Sequence, residues 1–235
     1  MSSTVPNLDS TRAEVVEYAN RLTSDGLVVG TSGNISLRVD DLIAVTPSGV
    51  DYATMRPEDV PVVRLDGTVV DGTLKPTSEL PMHLRCYQDF DATSVVHTHS
   101  AAATALSLLR DTVPLVHYQL AMFGGQVKVA PYRTYGTAEL ADAMAAALQE
   151  RSACILANHG TIAFSHSLGH AFDKVTQLEW LCDVWLRAAA VGTPREISPE
   201  ELERVVAKFS SYGQPPEEST GTSEPADRPR HQGVR

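Results

Sequence analysis

The sequence predicts a single α/β domain folded around one central sheet. Short strand-like runs crowd the first third of the chain and then alternate with helical segments. With 235 residues, 43% of them hydrophobic, the chain can bury one sizeable core, whereas two separate domains would each be small.

The first helix is expected from Thr11 to Asp25. Thr11 and Glu14 suit a capping box, Val15, Ala19 and Leu22 share a face, and Gly26 suits the C′ position. Strand-like runs follow at Leu27–Val29, Ile35–Val39, Leu42–Thr46 and Val60–Val63, broken by Gly, Asp and Pro. A second helix should begin near Ser78, take Pro81 into its first turn and reach Tyr87. Thr93–His99 reads as a buried strand, Ala101–Leu109 as a small-residue helix and Val127–Ala130 as a strand. Thr137–Glu150 is an alanine-rich helix, Cys154–Ala157 a strand entering an Asn-His-Gly turn, and Leu168–Ala190 a long helix. Ser198, Pro199 and Glu201 combine an N-cap, an N1 proline and a capping-box glutamate. After Gly213 the chain is proline-rich and polar, so residues 1–213 are assigned to the folded domain and 214–235 to a disordered tail.

The formal charge of −10 argues against nucleic acid or an anionic membrane as partner. The first ten residues lack the basic and apolar regions of a signal peptide, and no apolar run approaches the roughly 18 residues that span a bilayer. Cys86, Cys154 and Cys182 are odd in number and widely spaced, as expected of reduced thiols in a cytoplasmic protein.

Three segments carry the chemistry: Glu79 in P-T-S-E-L, His97 and His99 in V-V-H-T-H-S, and His159 in L-A-N-H-G-T. On a strand, residues two apart share a face, which would set His97 and His99 side by side with Cα atoms about 7 Å apart. Three imidazoles and a carboxylate form a donor set that zinc accepts in tetrahedral geometry, and the carboxylate can leave the metal to serve as a base. H-x-H alone also fits two core histidines hydrogen-bonded locally. The turns Thr31–Asn34, Thr46–Gly49 and Pro76–Glu79 are rich in Gly, Ser, Thr and Asn, and such turns offer N–H and hydroxyl groups to an anion without a cluster of Lys or Arg. Each would also serve as a plain β-turn. The segment G-L-V-V-G-T-S-G has G-x3-G-x2-G spacing and precedes a strand, so it is not a dinucleotide fingerprint.

In order, S-G-N, T-P-S-G, T-S-E, H-x-H, H-Y, A-P-Y-x-T-x-G-T and N-H-G resemble the class II aldolase/adducin family over roughly Ala13 to Gly213. The resemblance implies a three-layer α/β fold whose central, mostly antiparallel sheet is flanked by helices. It implies a homotetramer with active sites at subunit interfaces, one Zn2+ per subunit, and a small sugar phosphate as substrate. The reaction implied is cleavage of a ketose 1-phosphate, such as L-fuculose 1-phosphate or a similar deoxy-sugar or pentulose 1-phosphate, into dihydroxyacetone phosphate and an aldehyde.

Carried over by position, His97, His99 and His159 match the zinc histidines, and Glu79 matches a glutamate that both ligates zinc and moves protons. Gly33, Asn34, Ser48, Gly49, Thr77 and Ser78 match the phosphate-binding loops. Tyr118 matches an acid at the aldehyde oxygen, and Tyr212 a C-terminal tyrosine reaching a neighbouring subunit. Two departures stand out: Thr77 where many relatives have Ser, and Asn158 where fuculose-specific relatives often carry a second histidine. His83, His117, His166, His170 and His231 are expected on surfaces or helix faces, Lys174 on a polar face, and Glu179 on the solvated side of its helix.

Rival readings are a sugar-phosphate 4-epimerase of the same superfamily, a methylthioribulose-1-phosphate dehydratase, and a non-catalytic adducin-like interaction domain. The epimerases place an acidic residue after the histidine strand, but here none occurs between Asp111 and Glu139. The adducin-like reading predicts lost metal ligands, and all four candidates are present. The four lysines include none within the histidine strand, so a metal suits the reaction better than a lysine Schiff base.

Overall fold

The computed structural model describes residues 8–209, so the tail, residues 210–213 and Tyr212 lie outside the described residues. The elements in chain order are α1 (Asp9–Ser24), β1 (Asn34–Val39), β2 (Leu42–Val45), β3 (Val62–Arg64), β4 (Val69–Asp71) and α2 (Leu80–Asp89). They continue with β5 (Ser94–Thr98), α3 (Ala101–Ser107), β6 (Val129–Ala130), α4 (Ala138–Ala147), β7 (Ala153–Leu156), β8 (Gly160–Ser165), α5 (Leu168–Ala189) and α6 (Pro199–Phe209). The eight strands form one sheet in the order β4-β3-β2-β1-β5-β8-β7-β6. Every neighbouring pair is antiparallel except β6 with β7.

Period-two alternation makes this sheet the middle of three layers. Ala44, Val96, Ile155 and Ala163 turn to one side, where they pack with α1, α3 and α5 residues such as Leu22, Leu106 and Val175. Their neighbours Ile43, Val95, Leu156 and Ile162 turn to the other side, against Met82 and Cys86 of α2 and Leu140 and Met144 of α4. The central strands are buried on both faces, which is why they read as continuous apolar runs rather than alternating ones.

Most expected elements form, and the differences have local causes. Helix α1 begins at Asp9, which places Thr11 inside it and buried, so the Thr11 capping box does not form. Leu27–Val29 is a turn, not a strand: Leu27 spends its N–H on Leu22 O and gives its own carbonyl to His99 N–H. Strand β8 went unread because its apolar run is short and it opens on Gly160, straight out of the Asn-His-Gly turn. A side chain there would put Cβ 1.9 Å from Thr98 O, so only glycine lets β8 start beside the end of β5. The three-residue edge strand β4 is too short to leave a periodic signal. Thr137, Ser167 and Ser198 cap α4, α5 and α6 through hydroxyls accepting from Leu140, His170 and Glu201 N–H.

Two long-helix residues correct their expected surface roles. Lys174 is partly buried, donates to Phe164 O at 2.9 Å, and is pushed down to about 8 by burial. Glu179 reaches from α5 to the start of α3 and accepts from the N–H groups of Ala102 and Ala103 at 2.7 and 2.8 Å. A carboxylate at a helix N-terminus satisfies two amides that the helix leaves unpaired. Glu179→Ala leaves the Ala102 and Ala103 amides without that acceptor and should cost about 2 kcal/mol. Glu179→Gln, which keeps one acceptor, should cost less, as read from denaturant midpoints.

Candidate metal centre and its pocket

Each of the four sequence-predicted ligands comes from a different local device. Glu79 is the N-cap residue of α2 and is 5% exposed, with its N–H donating to Thr77 Oγ1 at 3.2 Å. His97 lies on β5 between Asn34 of β1 and Ile162 of β8, fully buried. Its Nδ1–H donates to Thr161 O at 2.8 Å, so the Nε2 lone pair faces the cluster. His99 stands one residue beyond the end of β5, so a strand does not hold both histidines as expected; the Leu27 carbonyl anchors His99 instead, at 3.1 Å. His159 follows Asn158 in the β7–β8 turn, where Asn158 has φ 58°. Asparagine tolerates this left-handed conformation better than most residues, a local reason for Asn at that position.

The fold brings all four together. One donor atom from each of Glu79, His97, His99 and His159 lies within 4.8 Å of the others. The three imidazoles meet edge to face, with centroids 4.7–4.9 Å apart. Nε2 of His99 is 3.0 Å from Nε2 of His97. Glu79 Oε2 is 2.9 Å from His97 Nε2, and Oε1 is 3.2 Å from His159 Nε2. Glu79 Oε1 is nevertheless buried with no partner in hydrogen-bond geometry. An orphaned carboxylate oxygen facing converging imidazole nitrogens fits a divalent cation, and three nitrogens with one oxygen fit zinc.

Charge ties the four groups together. Burial works against ionising Glu79, but the His97 and His159 charges outweigh it and hold the carboxyl well below its usual range. Burial likewise opposes a charge on His97, yet Glu79 overcomes it and raises that pKa. His99 is pushed down to about 3 by burial and by the positive charge of the other two rings. One carboxylate does not sustain three imidazolium charges in this space, and neutral rings are the form that binds metal.

The cluster borders a cavity of about 310 Å³ that Gly33, Asn34, Ser48, Gly49, Thr77 and Ser78 line together with Glu79, His99 and His159. All six residues matched to phosphate loops therefore face the same space as the metal candidates. Gly33, at φ +75°, is required by sterics, since a Cβ there would lie 2.9 Å from His97 O; Tyr52 O–H secures its carbonyl at 2.6 Å. Ser48 and Thr77 spend their backbone N–H groups on Lys75 O and Thr46 O, so Ser48 has its hydroxyl left to offer. The Asn34 side chain donates through Nδ2 to Glu79 Oε2 at 3.0 Å, a tie that the phosphate assignment does not include.

Tyr118 is not among the lining residues. It sits in a short 3-10 turn, 53% exposed, stacked on His117 and beside Val205 and Phe209 of α6. Sequence reasoning gave no role to Tyr132, Arg133 and Tyr135, which line the cavity. The A-P-Y-x-T-x-G-T motif was their signal. It also missed His83, which is fully buried rather than at a surface.

Residues 13–186 match the family described as Class II Aldolase and Adducin N-terminal domain. The chain belongs to this family. It is 40% identical to 5-deoxy-D-ribulose 1-phosphate aldolase of Bacillus thuringiensis serovar kurstaki, a match covering 88% of this chain and 99% of that protein. It is 36% identical to L-fuculose phosphate aldolase of Escherichia coli strain K12, over 85% of this chain and 94% of that one. A solved L-fuculose 1-phosphate aldolase superposes with a TM-score of 0.84 at 37% identity, covering 89% of this chain and all of the other. The chain is thus a class II aldolase, a lyase whose ligand cluster fits metal dependence. Among the described residues, no helix is long and apolar enough to cross a membrane.

Acidification should expose the buried imidazoles. Burial, as the largest cause, holds His83 at about 3, and His99 also falls to about 3, whereas an unfolded imidazole titrates near 6.5. Between those values the unfolded chain binds protons that the native chain refuses, so stability should fall as pH drops from about 6.5 towards 3. Denaturant midpoints across that range test this; His83→Gln should give a shallower slope, and a flat wild-type profile would contradict it.

Proposed function

We propose that the protein is a zinc-dependent aldolase that reversibly cleaves a ketose 1-phosphate into dihydroxyacetone phosphate and an aldehyde. The observation that carries this is one cavity bordered by a Glu/His3 donor set and by three hydroxyl- and glycine-rich turns. A phosphate suits the turns while the ketone and its neighbouring hydroxyl suit the metal. Relatives named for 5-deoxyribulose 1-phosphate, one of them also for 5-methylthioribulose 1-phosphate, match at 40% and 37% identity. With Asn158 in place of the second histidine, this supports a 5-deoxypentulose 1-phosphate as preferred substrate over L-fuculose 1-phosphate.

Glu79, His97, His99 and His159 would hold the ion, which when bound supplies Lewis-acid polarisation of the substrate carbonyl. Ser48, Gly49, Thr77 and Ser78 bind and orient the phosphate end. Cleavage moves one proton from the C4 hydroxyl to the carbon left electron-rich when the C3–C4 bond breaks; Glu79, a carboxylate whose Oε1 has no competing hydrogen bond, would take up a proton there and hand it to that carbon. Tyr118 would protonate or deprotonate the aldehyde-side oxygen, passing its own phenolic proton on as it receives the one from the C4 hydroxyl, and its exposure supports a role completed by a neighbouring copy of the chain in a homotetramer. Tyr212 belongs to the same proposal. A cytoplasmic location accords with three free, buried cysteines.

The test is release of dihydroxyacetone phosphate from 5-deoxy-D-ribulose 1-phosphate and from L-fuculose 1-phosphate, before chelation, after it, and after zinc is restored. Zinc-dependent release, faster from the deoxypentulose, is expected. Glu79→Gln should lower kcat at least 100-fold, the scale of lost general acid–base catalysis. Zinc-loaded protein that releases nothing from any ketose 1-phosphate overturns the reading.

A further inference from the structure

Behind the metal candidates, a file of polar side chains runs through the apolar layer between β1 and α2. Glu79, His83 and Tyr87 recur every four residues along α2, and Asn34 and Ser36 recur every two along β1. Four helical residues rise about 6 Å and two strand residues about 6.6 Å. The two rows therefore interleave, and each strand residue fits between two helix residues. Glu79 Oε2 meets Asn34 Nδ2 at 3.0 Å, Asn34 Oδ1 meets His83 Nε2 at 2.6 Å, His83 Nδ1 meets Ser36 Oγ at 2.7 Å, and Ser36 Oγ meets Tyr87 Oη at 2.7 Å. All five residues are at most 5% exposed.

The donors in this chain are forced from one end. An ionised carboxylate only accepts, so Asn34 turns its NH2 to Glu79 and its oxygen to His83. His83 must then donate from Nε2. A neutral ring must accept at Nδ1, so Ser36 donates there, and Ser36, having spent its only proton, must accept from Tyr87 O–H. No alternative arrangement satisfies all four bonds. A flipped Asn34 would set its oxygen against the carboxylate and its NH2 against the His83 N–H, so Glu79 and His83 hold the amide from its two sides.

We propose that His83 is a positioning residue for Glu79, acting through Asn34. By fixing the amide it pins Oε2 of Glu79 and leaves Oε1 free towards His159 and the cavity, so the carboxylate meets metal and substrate with one assigned oxygen. Burial keeps the ring neutral and so preserves the tautomer, which supports the assignment. The inference rests on the metal-centre reading of Glu79, but not on the identity of the substrate.

The experiment compares His83→Asn with His83→Gln. A glutamine amide reaches the Nε2 position and can donate to Asn34; an asparagine amide reaches only the Nδ1 position. Zinc affinity is measured on the whole protein by competition with a chromophoric chelator, and kcat and KM on the substrate that wild type cleaves. His83→Asn should weaken zinc binding about tenfold or more and lower kcat with little change in KM, the scale seen when a partner of a metal ligand is lost. His83→Gln should recover zinc affinity to within about threefold of wild type. Equal losses in both variants would make His83 a packing residue only, and no loss in either would remove it from the site; both overturn the proposal. If His83→Asn does not fold, Ser36→Ala tests the same link by removing the hydroxyl that holds the ring at Nδ1. It should weaken zinc binding measurably, and unchanged affinity there overturns the proposal. Wild type that fails to bind zinc would instead sink the metal-centre reading itself.

Discussion

A buried carboxylate is among the costliest groups a fold can hold, and the structure around Glu79 is organised to balance it. Two imidazoles lie within 3.2 Å of its oxygens, and an amide donates to one of them. The partners come from β1, β5 and the β7–β8 turn, so the charge ties the centre of the sheet to the start of α2. Removing any one partner would leave a buried charge or an unpaired lone pair, which is why the position of each depends on the others.

Much of the remaining architecture keeps those partners in reach. The Leu27 carbonyl holds His99 after its strand has ended, and Thr161 O fixes the tautomer of His97. Glycine at 160 lets β8 lie against the last residues of β5, and glycine at 33 lets a cavity-lining turn lie against His97 O. These are close backbone approaches whose purpose is visible only beside the donor cluster. The cavity they border is lined by Ser48, Gly49, Thr77 and Ser78 and also carries Tyr132, Arg133 and Tyr135 on its wall.

The repeat lengths of helix and strand decide which residues can cooperate here. Because four residues of α2 span nearly the distance of two residues of β1, polar groups on the two elements alternate instead of stacking on their own kind. Among apolar side chains this would be ordinary packing. Among Asn34, Ser36, His83 and Tyr87 it becomes a directed hydrogen-bond chain whose polarity is set by the charge at one end. Such satisfied polar files specify one packing of helix on sheet, since any register shift would strand buried donors.

Local patterns in the sequence determined the helices, the cap at Ser198, the central apolar strands and the four ligand candidates. Each depends on residues within a few positions of one another. Strand order, the single parallel pair β6–β7 and strand β8, which opens on Gly160, were decided by tertiary pairing, because which strands lie side by side depends on residues far apart in the chain. The same holds in the site: the residue types at Glu79, His97, His99 and His159 announce a metal, but convergence within 4.8 Å needs four distant segments. His83, Glu179 and Lys174 read as surface residues because a polar side chain in a helical pattern gives no sign of the partner that buries it. That partner lies 47 to 49 residues away for His83 and 76 to 77 for Glu179, and only the folded sheet brings them together.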